Sequence, residues 1–382
     1  MQSKAKSPIT NPELQQRIRR RQLRNWLILV GAVALVIAVV ITIVSCGSSG
    51  RVVSRTLPCY AHQDVTIFQD GVLYYDGESI HFVNAGGGVE WTYPVGAGAS
   101  YSVSDSQLII WAGRQLFIVD ANGKPSYNQA MDDTIIMARI GGNYAAVVTG
   151  GDLTSTLHVR NLQGDQIDQE VEDYEGMLIL DCGFYGESDE YMWVMSLDIY
   201  NTSITTLINT YQVGQMNTGV ISISDHLAYK VLYENNKLHV FTTQQMYTYD
   251  YRGVQDVNNT MLVYGWQLLD HDLPSRGAAR MLLAPTEQTT NVQSISELRL
   301  LADPIDRRYT LPASCVGAAI SEDDIYAISS DSLYVGTIDS QRFTAYPIRL
   351  PDERSITGFV GLTDNGYAIV SSGNEIYSVS LP

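Results

Sequence analysis

Charge is scarce in this chain. Asp, Glu, Lys and Arg make up only 17% of its 382 residues, against 45% hydrophobic, which argues against disorder and for one large domain with a full core. Cysteine is scarcer still. Cys46, Cys59, Cys182 and Cys315 are too few to staple such a domain and match no zinc spacing. Cys182 in LILDCGFYG and Cys315 in PASCVGAAI sit among small and apolar neighbours, the setting of packed core thiols. There is no GxSxG elbow, no HExxH and no GxxxxGK loop, which removes the usual signatures of serine hydrolases, zinc peptidases and P-loop nucleotidases. None of His62, His81, His158, His226, His239 and His271 stands at metal-ligand spacing from another. DHD, residues 270 to 272, flanks a histidine with two carboxylates, a setting that favours a proton or a metal. Adjacent side chains on an extended chain diverge, however, so it reads as a solvated loop. Asp132 with Asp133, GESDE from Gly186, and Glu322 with Asp323 and Asp324 lack the alternating ligands of a calcium loop and read as hairpin ends. No catalytic, cofactor or metal residue is singled out, and no enzyme activity is predicted. Sequons at Asn201 and Asn258 matter only in a eukaryotic secretory pathway.

What charge there is lies unevenly. Residues 1–25 hold seven Lys and Arg against Glu13 alone, a net of +6, while the rest holds 17 bases and 40 acids, a net of −23. So acidic a body repels phosphate backbones, and nucleic acid is not an expected partner. Between them WLILVGAVALVIAVVITIV, residues 26–44, is nineteen positions without a charge, long enough at about 1.5 Å per residue to cross a bilayer. The basic cluster Arg17, Arg19, Arg20, Arg21 and Arg24 precedes it, Trp26 and Leu27 open it and Val44 closes it. The positive-inside rule then puts the N-terminus in the cytoplasm and the body outside, anchored in the lipid bilayer through a transmembrane helix over 26–45. The competing reading is a lipoprotein signal: IVSC, residues 43–46, resembles a lipobox whose Cys46 would be lipidated after cleavage, but the run is long for a signal h-region.

Tyr at 24, Gly at 31 and abundant Val, Ile and Thr favour strands joined by tight turns, an all-β body. After a stalk over 46–58 the chain repeats itself: DGVLYYDGESIHFVNAGGGVEWTYPV from Asp70, DSQLIIWAGRQLFIVDANGKPSYNQA from Asp105, NNKLHVFTTQQMYTYDYRGVQDVN from Asn235 and EDDIYAISSDSLYVGTIDSQRFTAYPI from Glu322. Each is a run of short strands with polar or Gly-rich turns, and a recurrence near 40 residues is the period of a four-stranded propeller blade. Inner strands are expected near Val65, Ser100, Thr134, Met177, His226, Met261, Val316 and Ile356, giving a β-propeller of eight blades over 59–382. Seven is the alternative, with the irregular residues 265–300 as an insertion. The last unit has three strands, and VVSRTL, residues 52–57, is the candidate to supply its fourth and close the ring. In HFVNAGGGVEWTYPV the glycines turn the hairpin and Trp91 packs between neighbouring blades.

HFVNAGGGVEW and VDANGKPSYNQ resemble the outer half of the quinoprotein-type propeller repeat, in which a strand ends at Asp or Asn, turns through Gly and resumes toward a tryptophan. The resemblance extends to the outer-membrane assembly propeller lipoproteins of Gram-negative bacteria. With its basic leader, single span and divergent repeats, the whole chain is most similar to the domain-of-unknown-function family 5711 of Gram-positive gut bacteria, which implies a fold and a topology but no activity. Only the first blade carries the docking tryptophan, and Tyr127 stands at the equivalent place in the second, so a quinone cofactor is not expected. Three roles follow: a scaffold or adaptor bound to another envelope protein, a receptor for a small molecule or glycan in the channel, and, last, a quinoprotein-like enzyme. A short tail without a folded domain weighs against autonomous signalling and puts the adaptor first.

Overall fold

The computed structural model describes residues 52–382, apart from 152–153, 171–173, 187, 201–202, 235, 275–276 and 287–293. The predicted tail, the span over 26–45 with Trp26, Leu27 and Val44, the basic cluster Arg17, Arg19, Arg20, Arg21 and Arg24, and Cys46 lie outside the described residues, as does Asn201. Among the described residues no helix is long and apolar enough to cross a membrane.

The chain is built from antiparallel meanders in strict order. Sheets I (residues 66–94), II (100–130), III (135–170), IV (177–224) and V (228–262) have four strands each. Sheet VI (266–347) has seven. Sheet VII takes three strands from 358–380 and its fourth from Ser54–Tyr60, which pairs antiparallel with Glu375–Ser380. Residues 52–57 therefore lie at the seam where the two ends of the body meet, and Ser54–Tyr60 becomes the outermost strand of sheet VII.

Among the described residues the hydrogen-bonded sheets number seven where eight blades were expected. The cause is the strand Ile305–Ser321. Its first part pairs with Ile295–Ala302 and its second, from Cys315, with Asp324–Ser329, so two four-strand meanders share one continuous strand. Pro312, which has no N–H to give, sits between the two paired parts, where the ladder is interrupted. Residues 265–300 are no insertion: they contribute Trp266–Asp272, Arg280–Pro285 and Ile295–Ala302.

Middle strands such as Gln115–Asp120 and Lys237–Thr242 are buried on both faces, because each sheet packs between two others, and all the apolar clusters but one join two successive sheets. Clusters fill the seams I–II, II–III, III–IV, IV–V, V–VI and VI–VII. Leu57 and Cys59 close the circuit by packing with Val72, Val83 and Ile369 between VII and I. One more, including Leu282, Leu298, Tyr309 and Ile325, fills the space between the two halves of sheet VI. Cys59, Cys182 and Cys315 are buried free thiols in these seams, pushed up to about 12 by burial, and hence inert at neutral pH.

The outer edge repeats one turn. In ANGK, the Asn122 and Lys124 N–H groups both donate to Asp120 Oδ1 at 2.9 Å. Asn161 does the same for Gln163 and Asp165, and Asp250 for Arg252 and Val254. An Asx side chain thus replaces ladder partners, and the following glycine takes positive φ, 76° at Gly123 and 86° at Gly164. The same glycines admit the preceding sheet: an added Cβ at Gly123 would meet the Trp91 ring at 2.8 Å, and at Gly164 the Tyr127 ring at 1.9 Å. Trp91 Nε1 also donates to Ala121 O at 2.9 Å. Each aromatic clamps the next sheet's turn.

Candidate functional site

Because every strand reverses direction, the hairpins after the first and third strands of each meander emerge on one face of the ring, here called lower. Those after the second strand, and the links to the next meander, emerge on the upper face. The first strands line the axis. Six of them slip register by one residue: between Ile135 and Met137, Ile179 and Asp181, Ala228 and Lys230, Leu268 and Asp270, Cys315 and Gly317, and Phe359 and Gly361. Bulges at such positions bend the strand and re-aim the side chains that follow.

Those side chains include the charged groups along the first strands. Arg139 Nε donates to Asp181 Oδ1 at 2.8 Å, joining sheets III and IV. Across the ring, a cavity of about 520 Å³ is lined by Asp270, His271, Gly317, Ala319, Gly361 and Asp364 among others. DHD is therefore not a loop. It ends the strand Trp266–Asp272, where a wall of the channel needs no apolar flank to form. Asp270 Oδ2 accepts the Ile320 N–H at 2.9 Å, and burial raises its carboxyl. Burial, reinforced by Lys230 and opposed by Asp272, drives His271 down to about 4. Two flanking carboxylates would by themselves favour the proton, but desolvation outweighs them.

The lower mouth carries acids on hairpin after hairpin, and hydrogen bonds tie these hairpins together. Asp364 N–H donates to Gln69 O at 2.9 Å, Gln69 Nε2 to Asp105 O at 3.2 Å and Ser104 Oγ to Gly141 O at 3.2 Å. Asn143 N–H donates to Asp189 Oδ2 at 2.8 Å, Ala279 N–H to Glu234 Oε1 at 2.7 Å and Arg280 Nη2 to Asp323 Oδ1 at 2.7 Å. Asp189 and Asp323, read from sequence as plain hairpin ends, are links in this belt. Burial raises the Asp364 carboxyl, with Asp105 and Asp70 adding to the rise. Among the described residues no group of three or more His, Cys, Asp or Glu is placed to hold a metal ion.

A second cavity, about 370 Å³, opens between sheets V and VI and is lined by Met246, Met261, Met281, Leu301, His239 and Glu234 among others. His239 Nδ1 lies 3.1 Å from Thr248 Oγ1, which itself donates to Asn259 O at 3.1 Å. The hydroxyl must therefore accept from Nδ1, leaving Nε2 to face Glu234 Oε2 at 3.3 Å. A proton must sit on one of that pair for the contact to attract. Burial pulls His239 down, while Glu234 pulls it back up.

The upper face is different. Of the large apolar side chains that stand exposed among the described residues, Ile199, Tyr200, Ile204, Leu227 and Tyr264 lie on its hairpins and links, whereas Val254, Val257 and Leu273 lie on lower hairpins. Tyr200 is 70% exposed and Tyr264 73%. Leu178, opposite Leu197 in register, is the second residue of the first strand of sheet IV, Met177–Tyr185. The Tyr200 ring lies over Gly176, within 3.4 Å of where a Cβ would stand. Ile204 O accepts the Asp225 N–H at 2.9 Å, Leu227 follows two residues later, and Tyr229 OH accepts the Leu268 N–H at 3.1 Å. These residues form one run across sheets IV, V and the start of VI.

No family model matches the chain, and no curated protein does. Among solved structures the chain is similar to Sqt1 of Saccharomyces cerevisiae, at 9% identity and a TM-score of 0.55, covering 86% of this chain and 100% of that one. It is also similar to BamB from Moraxella catarrhalis, at 11% identity and a TM-score of 0.51, covering 87% and 97%. Both are β-propellers, and at this identity the likeness establishes the fold.

Proposed function

We propose that this chain is a membrane-anchored, extracytoplasmic β-propeller that acts as a protein-interaction scaffold in the cell envelope, without an enzymatic activity of its own. The observation that carries the reading is a closed ring with two unlike faces, one belted and acidic, the other exposing a run of large apolar side chains. A rigid ring that holds loops in place suits recognition, and exposed aromatics and aliphatics supply most of the affinity of a protein interface. The apolar run 26–44 and the bases before it support the anchor and its orientation. The ring is read as eight blades, with sheet VI counted as two, because a core cluster fills the space between its halves as others fill the seams between separate sheets. The resemblance to the domain-of-unknown-function family 5711 belongs to the same reading.

Protease added to intact protoplasts tests the topology: removal of the body with survival of a tail-and-span fragment is expected, and protection of the whole chain overturns the orientation. Cross-linking in living cells tests the role, with a reproducible envelope-protein neighbour as the expected result.

The roomy channel wall at Asp270 and His271 favours a second reading, a receptor for a small polar molecule. It takes the scaffold's place if a metabolite screen finds a channel ligand while cross-linking recovers no protein.

A further inference from the structure

The run of exposed side chains on the upper face has an electrostatic setting that selects its partner. Between Arg160 and Lys230 the sequence contains no lysine or arginine and twelve Asp and Glu. Two of these acids stand inside the apolar run. Asp198 Oδ1 accepts the Tyr200 N–H at 3.0 Å, and Asp225 follows Ile204 across the pair of strands, its N–H bonded to Ile204 O at 2.9 Å. Two carboxylates thus stand among the apolar side chains Leu178, Tyr200, Ile204, Leu227, Tyr229 and Tyr264, and the segment supplying most of the surface contains no lysine or arginine.

We propose that this face docks a basic amphipathic segment of a protein partner, with Leu, Ile or Phe on one side and Lys or Arg on the other. Apolar contact with Tyr200 and Ile204 supplies the affinity, and Asp198 and Asp225 set orientation and encounter rate. An acidic or purely apolar segment is disfavoured here, the first by repulsion and the second because it takes charged carboxylates out of water and brings no opposite charge. The inference rests on the scaffold reading and narrows it to one surface and one partner chemistry.

The test uses the full chain in detergent and three synthetic 18-residue peptides: an amphipathic Leu/Lys helix, the same pattern in Leu/Glu, and a Lys/Ser peptide without an apolar side. Binding of Leu/Lys alone is expected, weakening as salt rises. It should fall at least tenfold in Tyr200→Ser/Ile204→Ser and severalfold in Asp225→Lys, while Asp323→Lys on the lower face leaves it unchanged. Equal binding of Leu/Glu, or no loss in the upper-face variants while circular dichroism reports a folded chain, overturns the proposal. A photo-cross-linker placed in cells at Tyr200, and separately at Lys124 on the lower face, separates this inference from the broader one. Protein captured through Tyr200 and carrying a basic amphipathic segment supports the proposal. Capture only through Lys124 overturns it and leaves the scaffold standing, and capture at neither position overturns both.

Discussion

The two faces of the ring do different work with the same kind of hairpin. On the lower face, polar groups are spent on one another: the Asn143 N–H on Asp189, the Ala279 N–H on Glu234, and the Arg280 guanidinium on Asp272 and Asp323. On the upper face, between sheets IV and VI, Tyr200, Ile204 and Tyr264 stand out from the surface with much of their area in water. Bonds between hairpins 36 to 46 residues apart hold successive sheets at a fixed angle, whereas an apolar tip holds nothing in the free chain. The lower face is a hoop and the upper face a landing surface, and each is open to substitution separately.

The largest expected effect lies just inside the hoop, at His271. In the unfolded chain an imidazole titrates near 6.5, but here burial holds it at about 4. Above pH 6.5 it is neutral in both states. As pH falls toward 4 the unfolded chain takes up a proton that the folded chain refuses, so stability drops, by up to about 3 kcal/mol from this one group. Asp270, raised by burial, acts in the opposite direction and gains stability as pH falls, and His239, lowered like His271, adds to the loss. Comparing wild type with His271→Gln isolates the single group. Urea unfolding at pH 7 and pH 4 should show the wild type losing about 3 kcal/mol more than the variant, and parallel losses would contradict the assignment.

Next is the hoop itself. Glu234→Ala removes the acceptor of the Ala279 N–H, whose residue is buried, and the partner of His239. A buried donor left without an acceptor costs about 2 kcal/mol. Chemical denaturation should show that loss, together with faster hydrogen exchange at residues 277–281. A variant as stable as wild type would mean that the link carries no load.

The smallest effect marks the contrast. Tyr200→Ser removes a ring 70% exposed, so the unfolding free energy should stay within about 0.5 kcal/mol of wild type. A loss above 1 kcal/mol would show that the upper face is also structural and erase the difference between the two.

Much of the fold was legible because its signals are local. Asp120-Ala-Asn-Gly and Asn161-Leu-Gln-Gly announce the outer turns through Asx and glycine chemistry, and first strands do start near Ser100, Ile135 and Met177. The sheet count was not legible, since LPAS after Thr310 looks like a break between units, yet pairing continues on either side of Pro312 in one strand. DHD was misplaced because a strand facing a channel shows no apolar alternation to mark it. The hoop was invisible for another reason: its partners belong to different repeats, and a periodic sequence does not say which hairpin reaches which. On the upper face, Leu178 and Tyr229 sit in strand-like runs that read as core, and only the bulges and the geometry of the links bring them to the surface.

The strand Ser54–Tyr60 has a consequence for how the protein is made. Its partners arrive late: Val53 N–H bonds to Ser380 Oγ at 3.0 Å, 327 residues away in sequence, and Leu57 and Cys59 are covered by Ile369 and Ile376. During translation this rib therefore waits, its edges unpaired, until the ribosome has added the 327 residues that separate Val53 from Ser380. Until then the growing arc has two raw ends, each able to recruit a stray strand. Completion of the ring is a single late event, so a truncated product that stops short of the final strands is left with an open arc for quality control to recognise.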